Sequence, residues 1–168
     1  MLARRPISIL DAPILHALYR RSPNYFESIG SDPPTLQEVS ADLALALSDA
    51  RRHLELLYFG LECVGYLDYK LDYPVRGEAT VNLLLIPDEL RGRGYGREAV
   101  AALERELAGK CEMLYAGVFA HARASEEFWL RLGYTFARDA RPLILWYGKR
   151  LSEPSAVIRQ PSALSESR

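Results

Sequence analysis

The stretch LLLIPDELRGRGYGREAV, residues 83 to 100, decides the fold of this chain. An apolar run ends at Ile86, and three glycines, Gly92, Gly94 and Gly96, come just before residues that can begin a helix. Glycine lets the backbone turn sharply and approach a ligand closely. The free N–H groups and the dipole at a helix start favour a bound phosphate. The stretch therefore predicts a buried strand, a phosphate-binding turn and a helix, although a glycine-rich surface turn with solvated arginines is the alternative.

Two other nucleotide motifs fit this turn poorly. Gly94, Gly96 and Ala99 satisfy the G-x-G-x-x-A spacing of dinucleotide sites. In that motif the glycines follow the strand directly and an acidic residue closes the next strand. Here residues 87–90 intervene, and the next strand is expected to run out at residues 120–121 without a carboxylate. A P-loop requires Lys and Ser or Thr after the last glycine, where this chain has Arg and Glu.

The composition limits the possible partners. With 168 residues, about half of them apolar, we expect one domain over residues 1–151 and a disordered tail over residues 152–168. The 21 basic and 22 acidic side chains nearly cancel, so nothing attracts nucleic acid or an anionic membrane. The histidines and cysteines form no metal-site spacing. Without a signal-like or membrane-spanning run, we expect a cytoplasmic protein with no metal, nucleic acid or membrane partner.

The apolar periodicity predicts the element order βααβββαβαββ. We expect strands at residues 5–10, 54–60, 64–71, 78–87, 111–120, 134–138 and 142–150, and helices at residues 12–20, 35–52, 94–108 and 124–132. Residues 22–34 are expected to be irregular. A helix between two central strands and a meander of early strands indicate an α/β (α+β) domain with a mixed sheet and helices on both faces.

Two motifs, in this order, link the chain to a known family. Arg91, Gly94 and Gly96 match Q/R-x-x-G-x-G/A after a strand, and Pro87 supplies a proline that is common in the linking turn. Residues 129–134, WLRLGY, match a short helix ending in aromatic-x-Lys/Arg-Leu-Gly-aromatic. Both are signatures of the GCN5-related N-acetyltransferase (GNAT) superfamily. The chain resembles that superfamily over roughly residues 5 to 150, more weakly before residue 54.

The resemblance implies a fold and a cofactor. The fold is a mostly antiparallel mixed sheet in which the strand at residues 78–87 splays away from the strand at residues 111–120. The cofactor is acetyl-CoA, with its pyrophosphate on the N–H groups of residues 92–97 and its pantetheine arm on the backbone of residues 84–86. The implied cofactor-binding residues are Leu84, Leu85, Ile86, Arg91, Gly92, Arg93, Gly94, Tyr95, Gly96 and Arg97.

The resemblance also implies that an amine attacks the thioester directly in a ternary complex, with a backbone N–H near residues 84–85 stabilising the oxyanion. An amine with a pKa of about 10.4 must first lose a proton. The glutamate that some members use is matched here by Thr80. Asn82, on the same strand face, could orient a water or simply satisfy local backbone. Glu62, in the hairpin turn, is a second candidate, although such carboxylates are usually only solvated.

Two positions depart from the family pattern. Trp129 stands where many relatives place the tyrosine that protonates the departing CoA, and indole supplies no acidic proton. Ala122 lies near the position of a frequent asparagine. A thiol with a pKa of about 8.5 can leave largely as thiolate, so these departures weaken a tyrosine-acid mechanism and leave transfer possible.

Acceptor binding is implied for the first two helices and the loop between them. Tyr25 and Phe26 in that loop, and Tyr66 in the run GYLDYKLDYP, are the candidates for binding a small-molecule or peptide amine. Tyr25 and Phe26 could equally cover the core, and strand alternation turns only some residues of that run inward. Exposed sheet edges leave a homodimer open.

The leading hypothesis is an acyl-CoA-dependent N-acetyltransferase that moves an acetyl group to a primary amine. A non-catalytic acyl-CoA-binding or regulatory module is the first alternative, because the acid and base are not identified. A nucleotide-dependent oxidoreductase that uses the glycine turn is the second.

Overall fold

The computed structural model describes residues 1–119, 122–140 and 144–152. Within them, the strands are β1 (Leu2–Pro6), β2 (Arg52–Phe59), β3 (Glu62–Leu71), β4 (Glu78–Leu85), β5 (Met113–Phe119), β6 (Thr135–Ala140) and β7 (Ile144–Arg150). The α-helices are α1 (Ala12–Arg20), α2 (Pro23–Ser28), α3 (Leu36–Leu47), α4 (Tyr95–Leu107) and α5 (Arg123–Arg131). Short 3₁₀ turns lie at Ile9–Asp11 and Asp88–Leu90. The predicted tail after residue 152 and the predicted strand end at residues 120–121 lie outside the described residues.

The seven strands form one sheet in the order β1-β2-β3-β4-β5-β7-β6. Each neighbouring pair is antiparallel except β4 and β5, which are parallel and joined by the crossover helix α4. The mixed, mostly antiparallel sheet expected from the sequence is confirmed. The parallel pair lies at the centre of the sheet, so helices must cover both of its faces.

Two apolar cores lie on opposite faces of the sheet. On one face, α4 buries Val100, Leu103 and Leu107, which have helical spacing and are at most 2% exposed. On the other face, α1 and α3 contribute Leu15, Leu18, Val39, Leu43 and Ala46. Burying one leucine or valine side chain stabilises the fold by about 1.5–3 kcal/mol, so these two rows fix the helices on the sheet.

The helices α2 and α3 differ from the sequence prediction. Residues 22–34, expected to be irregular, contain α2, which begins at Pro23, where proline's missing N–H costs nothing. The helix α3 has the expected capping box, in which the Glu38 N–H donates to Thr35 Oγ1 at 3.3 Å. It ends at Leu47, five residues early, because the side chain of Asp49 accepts the N–H of Arg51 and starts the turn into β2.

The first strand also lies earlier than predicted. It covers Leu2–Pro6 and pairs antiparallel with β2 along the edge of the sheet. The sequence pattern did not predict a strand here because it contains two consecutive arginines. In the structure both form ion pairs, Arg4 with Glu55 and Arg5 with Asp11. The chain leaves the sheet after Ile7 because Asp11 accepts the Ser8 N–H at 2.8 Å and fixes the turn before α1.

Asp11 should make the stability of the fold depend on acidic pH. Its hydrogen bonds to the Arg5 guanidinium lower the pKa of this carboxyl to about 2. A carboxyl whose pKa is lower in the folded than in the unfolded chain stabilises the fold above about pH 4 and loses that effect as the pH falls towards 2. We expect the difference in free energy of unfolding between wild type and Asp11→Asn to be constant above pH 5 and to shrink from pH 4 to pH 2. Chemical unfolding at each pH measures it, and a pH-independent difference would contradict the assignment.

Candidate active site

The cleft begins where β4 and β5 stop pairing. Within the described residues their register ends at Val81 and Ala116. At the same level β4 carries a bulge, because Asp68 of β3 pairs with Leu83 and the next residue pairs with Val81, which leaves Asn82 as an extra residue. A bulge bends its strand and increases the local twist. The last residues of β4 therefore diverge from β5 and leave a gap between two parallel strands.

A cavity of about 400 Å³ lies on the α4 side of this gap. It is walled by the end of β4, the glycine turn and α5, through Leu84, Leu85, Ile86, Arg91, Gly92, Gly94, Tyr95, Gly96, Arg97, Phe128 and Trp129 among others. The structure thus brings together nine of the ten residues that the sequence indicated for the cofactor. The tenth, Arg93, points elsewhere: its Nη2 donates to the Glu89 carbonyl at 3.4 Å, and it lines a separate surface depression beside Phe59.

The glycine turn has the backbone that a phosphate site needs. Gly92 and Gly94 have φ values of +76° and +89°, which only glycine adopts without strain. A Cβ on Gly96 would come within 3.3 Å of the Phe128 ring, so this glycine lets α4 and α5 approach each other. Gly94 occupies the N-cap of α4 and offers no side-chain cap to the first-turn N–H groups. These N–H groups and the helix dipole fit a pyrophosphate.

A second cavity, of about 470 Å³, lies on the α1 and α3 side of the sheet. Its walls are rich in aromatic and polar residues, which include Tyr19, Tyr25, Asp42, Arg52, Tyr66, Asp68, Tyr73, Thr80, Asn82, Phe119 and Trp146. A small third cavity of about 40 Å³ is lined by residues of both larger ones, among them Tyr25, Asn82, Leu84, Ser125 and Trp129. The two large cavities therefore meet where β4 leaves β5.

A polar cluster around the buried Asp68 lies on the wall of the second cavity, with Arg52 partly exposed and Asn82 exposed. Asp68 is 2% exposed and accepts from Arg52 Nη2 at 2.6 Å and Nε at 3.0 Å. It also accepts from Asn82 Nδ2 at 3.0 Å. A carboxylate cannot donate, so the nitrogen of the Asn82 carboxamide must face Asp68 and its oxygen must point away. The ion pair with Arg52 offsets the cost of burying the carboxylate.

Three tyrosines line the same cavity as protonated hydroxyls. Burial raises the pKa of Tyr66, Tyr19 and Tyr25 above its usual value. At neutral pH each is a hydrogen-bond donor and a weak acid. Phe26 lines none of the described cavities. It is buried behind Tyr25 and Tyr19, with ring centroids 5.0 and 5.4 Å away, so it supports their rings.

The other predicted catalytic positions lie apart from the gap or lack acid chemistry. Glu62 is half exposed and lies 3.6 Å from Arg21, and it lines none of the described cavities. Trp129 is 5% exposed and packs edge-on against Phe128 and Tyr134 at the junction of the two cavities. Thr80 is buried and donates its hydroxyl to the Tyr73 carbonyl at 2.9 Å.

Sequence reasoning missed Arg52 and Tyr19. Arg52 was placed at the end of a helix, and it begins β2, where its partner Asp68 is 16 residues away. Tyr19 shows no signal beyond its position in an amphipathic helix. In the run GYLDYKLDYP, alternation along β3 turns Tyr66 and Asp68 towards the cavity and Tyr69 into the core on the opposite face. Tyr73 lies beyond the end of β3 and also lines the cavity.

Comparison with known proteins is decisive at this point. A family model described as "Acetyltransferase (GNAT) family" matches residues 15–134, which contain both motifs and nearly all of the lining residues. The chain belongs to the GNAT family of acetyltransferases. A comparison with curated proteins found no significant match. Within the described residues, no helix is long and apolar enough to cross a bilayer.

Solved structures of GNAT acetyltransferases share this fold. An acetyltransferase from Thermus thermophilus is 39% identical, with a TM-score of 0.86 over 90% of this chain and 97% of that one. The PaiA N-acetyltransferase from Thermoplasma acidophilum, in complex with coenzyme A, is 14% identical, with a TM-score of 0.70 over 89% and 99%. A spermidine N-acetyltransferase from Vibrio cholerae, in complex with CoA and spermine, is 13% identical, with a TM-score of 0.71 over 89% and 95%.

The phosphate-binding role expected for the glycine turn can be tested by introducing a negative charge at Gly94. We expect Gly94→Glu to weaken acetyl-CoA binding at least about 30-fold, because a carboxylate about 4 Å from a phosphate near a protein surface is opposed by up to about 4 kcal/mol. Calorimetric titration with acetyl-CoA measures the loss. Gly77→Glu is the matched control, since Gly77 also has a positive φ (+83°) with open space around it and lies outside the cavities. Equal weakening in both variants would show that backbone strain, and no anion site, is responsible.

Proposed function

We propose that this protein is an acetyl-CoA-dependent N-acetyltransferase that acts on a primary amine. The observation that carries the proposal is the meeting of the two cavities at the end of the β4–β5 pairing, one beside a phosphate-binding turn and the other walled by aromatic and polar side chains. Two substrates that enter from opposite faces of the sheet can contact each other only there. Direct transfer in a ternary complex requires that arrangement.

Acetyl-CoA, when bound, supplies the acetyl thioester that the amine attacks. In the proposal, the backbone N–H groups of residues 92–97 hold the pyrophosphate, assisted by the positive charge of Arg97. Leu84, Leu85 and Ile86 have no β5 partner in the described pairing, so backbone groups on that side, apart from the Ile86 carbonyl that accepts from Arg91 Nε, remain available to the pantetheine arm. A backbone N–H at Leu84 or Leu85 also serves as the oxyanion donor.

Asn82 is proposed to orient the attacking amine. Its Nδ2 is bonded to Asp68, so its Oδ1 faces the cavity and can accept an N–H of the amine or of a water that takes the amine proton. Glu62, which lies in an exposed ion pair, is assigned no part in this step. Trp129 offers no acidic proton at the junction, so in this proposal the thiol leaves as thiolate.

The size and walls of the second cavity suit a small amine or the amino end of a peptide. A volume of about 470 Å³ lies within the usual range for small-molecule sites. Tyr25, Tyr66 and Tyr19 offer ring faces and hydroxyl donors. The charge of Asp68 is already met by Arg52, so Asp42 at the exposed rim adds the negative charge that would attract a cationic amine.

One observation favours a second function, an acyl-CoA-binding module without catalysis. A buried indole, Trp129, occupies the position where the resemblance places a tyrosine acid. Release of CoA distinguishes the two functions. We expect thiol release from acetyl-CoA with at least one member of a panel containing spermidine, an aminoglycoside, 2-phenylethylamine and a short peptide with a free amino terminus. Tight acetyl-CoA binding without release on any of them would favour the module, and no binding by folded protein would contradict both functions.

The orientation of Asn82 can be tested with the best amine of that panel. We expect Asn82→Ala to lower kcat/KM about 10- to 100-fold without changing the affinity for acetyl-CoA, because only the amine loses its hydrogen-bond acceptor. Steady-state kinetics and calorimetric titration measure the two effects separately.

An exchange of partners tests the same assignment more sharply. In the double variant Asp68→Asn/Asn82→Asp, the carboxamide at position 68 can donate to the carboxylate at position 82, whose other oxygen still faces the cavity. Asn82→Ala lowers log(kcat/KM) by some amount. We expect the double variant to recover at least half of that decrease. A double variant as impaired as Asn82→Ala would contradict the proposed acceptor role of Asn82, provided that Asp68→Asn alone, which removes the ion pair with Arg52, is less impaired.

A further inference from the structure

The short 3₁₀ turn at Asp88–Leu90, between β4 and the glycine turn, is hydrogen-bonded to the chain at the start of α2. The backbone N–H of Asp88 donates to the Arg21 carbonyl at 2.9 Å. Its side-chain Oδ2 accepts the N–H of Asn24, in the first turn of α2, at 3.0 Å. Its Oδ1 is buried and accepts no hydrogen bond within the described residues, and it forms an ion pair with Arg91 Nη2 at 2.9 Å. A single residue therefore touches α2 on one side and the first residue of the GNAT glycine signature on the other.

The helix α2 depends on such contacts. It has six residues, far fewer than an isolated helix needs for stability. Phe26 anchors it to the core, and the Asp88 carboxylate satisfies one of its free N–H groups, with a favourable charge at the helix start. The neighbouring pair of Arg21 and Glu89, 2.6 Å apart, is about half exposed and contributes little. The Asp88 carboxylate is thus a direct polar link between the first turn of α2 and the glycine turn.

The side that α2 presents to the cleft carries Tyr25, which lines the cofactor-side cavity, the second cavity and the junction. The position of α2 therefore affects the shape of both binding sites. Arg91 lines the cofactor-side cavity, and its Nε also donates to the Ile86 carbonyl at 3.4 Å. A ligand on the turn that fixes Arg91 also fixes the partner of Asp88.

We propose that Asp88 is a positioning residue that couples the glycine turn to the acceptor cavity. Resting on the proposed function, the coupling works as follows: acetyl-CoA held by residues 92–97 restrains Arg91, Asp88 then restrains the first turn of α2, and Tyr25 is held in place for the amine. Coupling between two binding sites is reciprocal, so an amine in the second cavity strengthens acetyl-CoA binding by the same factor. Acetyl-CoA therefore prepares the acceptor site as it binds.

Hydrogen exchange of the full chain, with and without acetyl-CoA, tests the coupling without any knowledge of the acceptor. In wild type we expect acetyl-CoA to slow exchange in residues 92–97 and, about 5-fold or more, in residues 22–28, which is the lower end of typical site-to-site coupling. In Asp88→Ala we expect slowing to persist in residues 92–97 and to be lost in residues 22–28. The slowing at residues 92–97 also shows that the variant is folded.

Two further variants separate coupling from direct contact. Tyr25→Ala removes the ring that acetyl-CoA could touch and keeps the Asp88 bond, so we expect slowing at residues 22–24 to persist. Glu89→Gln removes only the exposed pair with Arg21 and should resemble wild type. If Asp88→Ala does not fold, Asp88→Asn replaces it. That variant keeps an oxygen for Asn24 and loses the charge that holds Arg91, so its slowing at residues 22–28 should be reduced.

The possible outcomes distinguish the coupling from the proposed function. Slowing at residues 92–97 alone in wild type, or undiminished slowing of α2 in Asp88→Ala, would overturn the coupling and leave the acetyl-CoA site intact. Loss of the α2 slowing in Tyr25→Ala would also overturn it, because the effect would then be direct contact. An absence of slowing at residues 92–97 in wild type would overturn the acetyl-CoA site and the coupling together.

Discussion

The separation of two parallel strands is the constraint on which the rest of this structure depends. β4 and β5 pair as far as Val81 and Ala116, and the extra residue Asn82 then bends β4 away. Unpaired backbone groups are costly when buried, so a central sheet that opens must supply other partners for them. The fold places the glycine turn on one side of the opening and a polar cavity on the other. In the proposed function, the two substrates meet where the strand pairing ends.

The electrostatics of the site follow from how its charges are paired. Arg52 and Asp68 are held together in the cavity wall, which satisfies the buried carboxylate and fixes the orientation of Asn82. On the other face, the proposed pyrophosphate site uses backbone N–H groups and a helix dipole, which stay fixed regardless of side-chain motion. Around the second cavity, the ion pair of Arg52 and Asp68 and the hydrogen bond from Asn82 hold these polar side chains in place. In the proposed function, such preorganised groups would orient the reaction.

Contacts between the two halves of the site run through a short helix. α2 is too small to be stable alone, and its position is set by Phe26 in the core and by Asp88 from the turn. Tyr25 lies on this helix and lines both cavities, so the proposed coupling between them would run through few atoms. Elements of low intrinsic stability are where binding can change a structure most readily.

The residues along the chain were enough to predict the family, the element order of the second half and the glycine turn between β4 and α4. These features could be predicted because they depend on local backbone requirements. Some turns need the positive φ of glycine, and helices and strands need apolar residues at a regular spacing. The sequence did not show α2, the true end of α3 or the earlier first strand, since these depend on Asp88, Asp49 and the pairing of Arg4 and Arg5. It placed Arg52 in the wrong element and left both Asn82 and Glu62 as catalytic candidates. Only the tertiary structure decided which polar residues share a cavity, because strand register and a one-residue bulge bring Arg52, Asp68 and Asn82 together from three different strands.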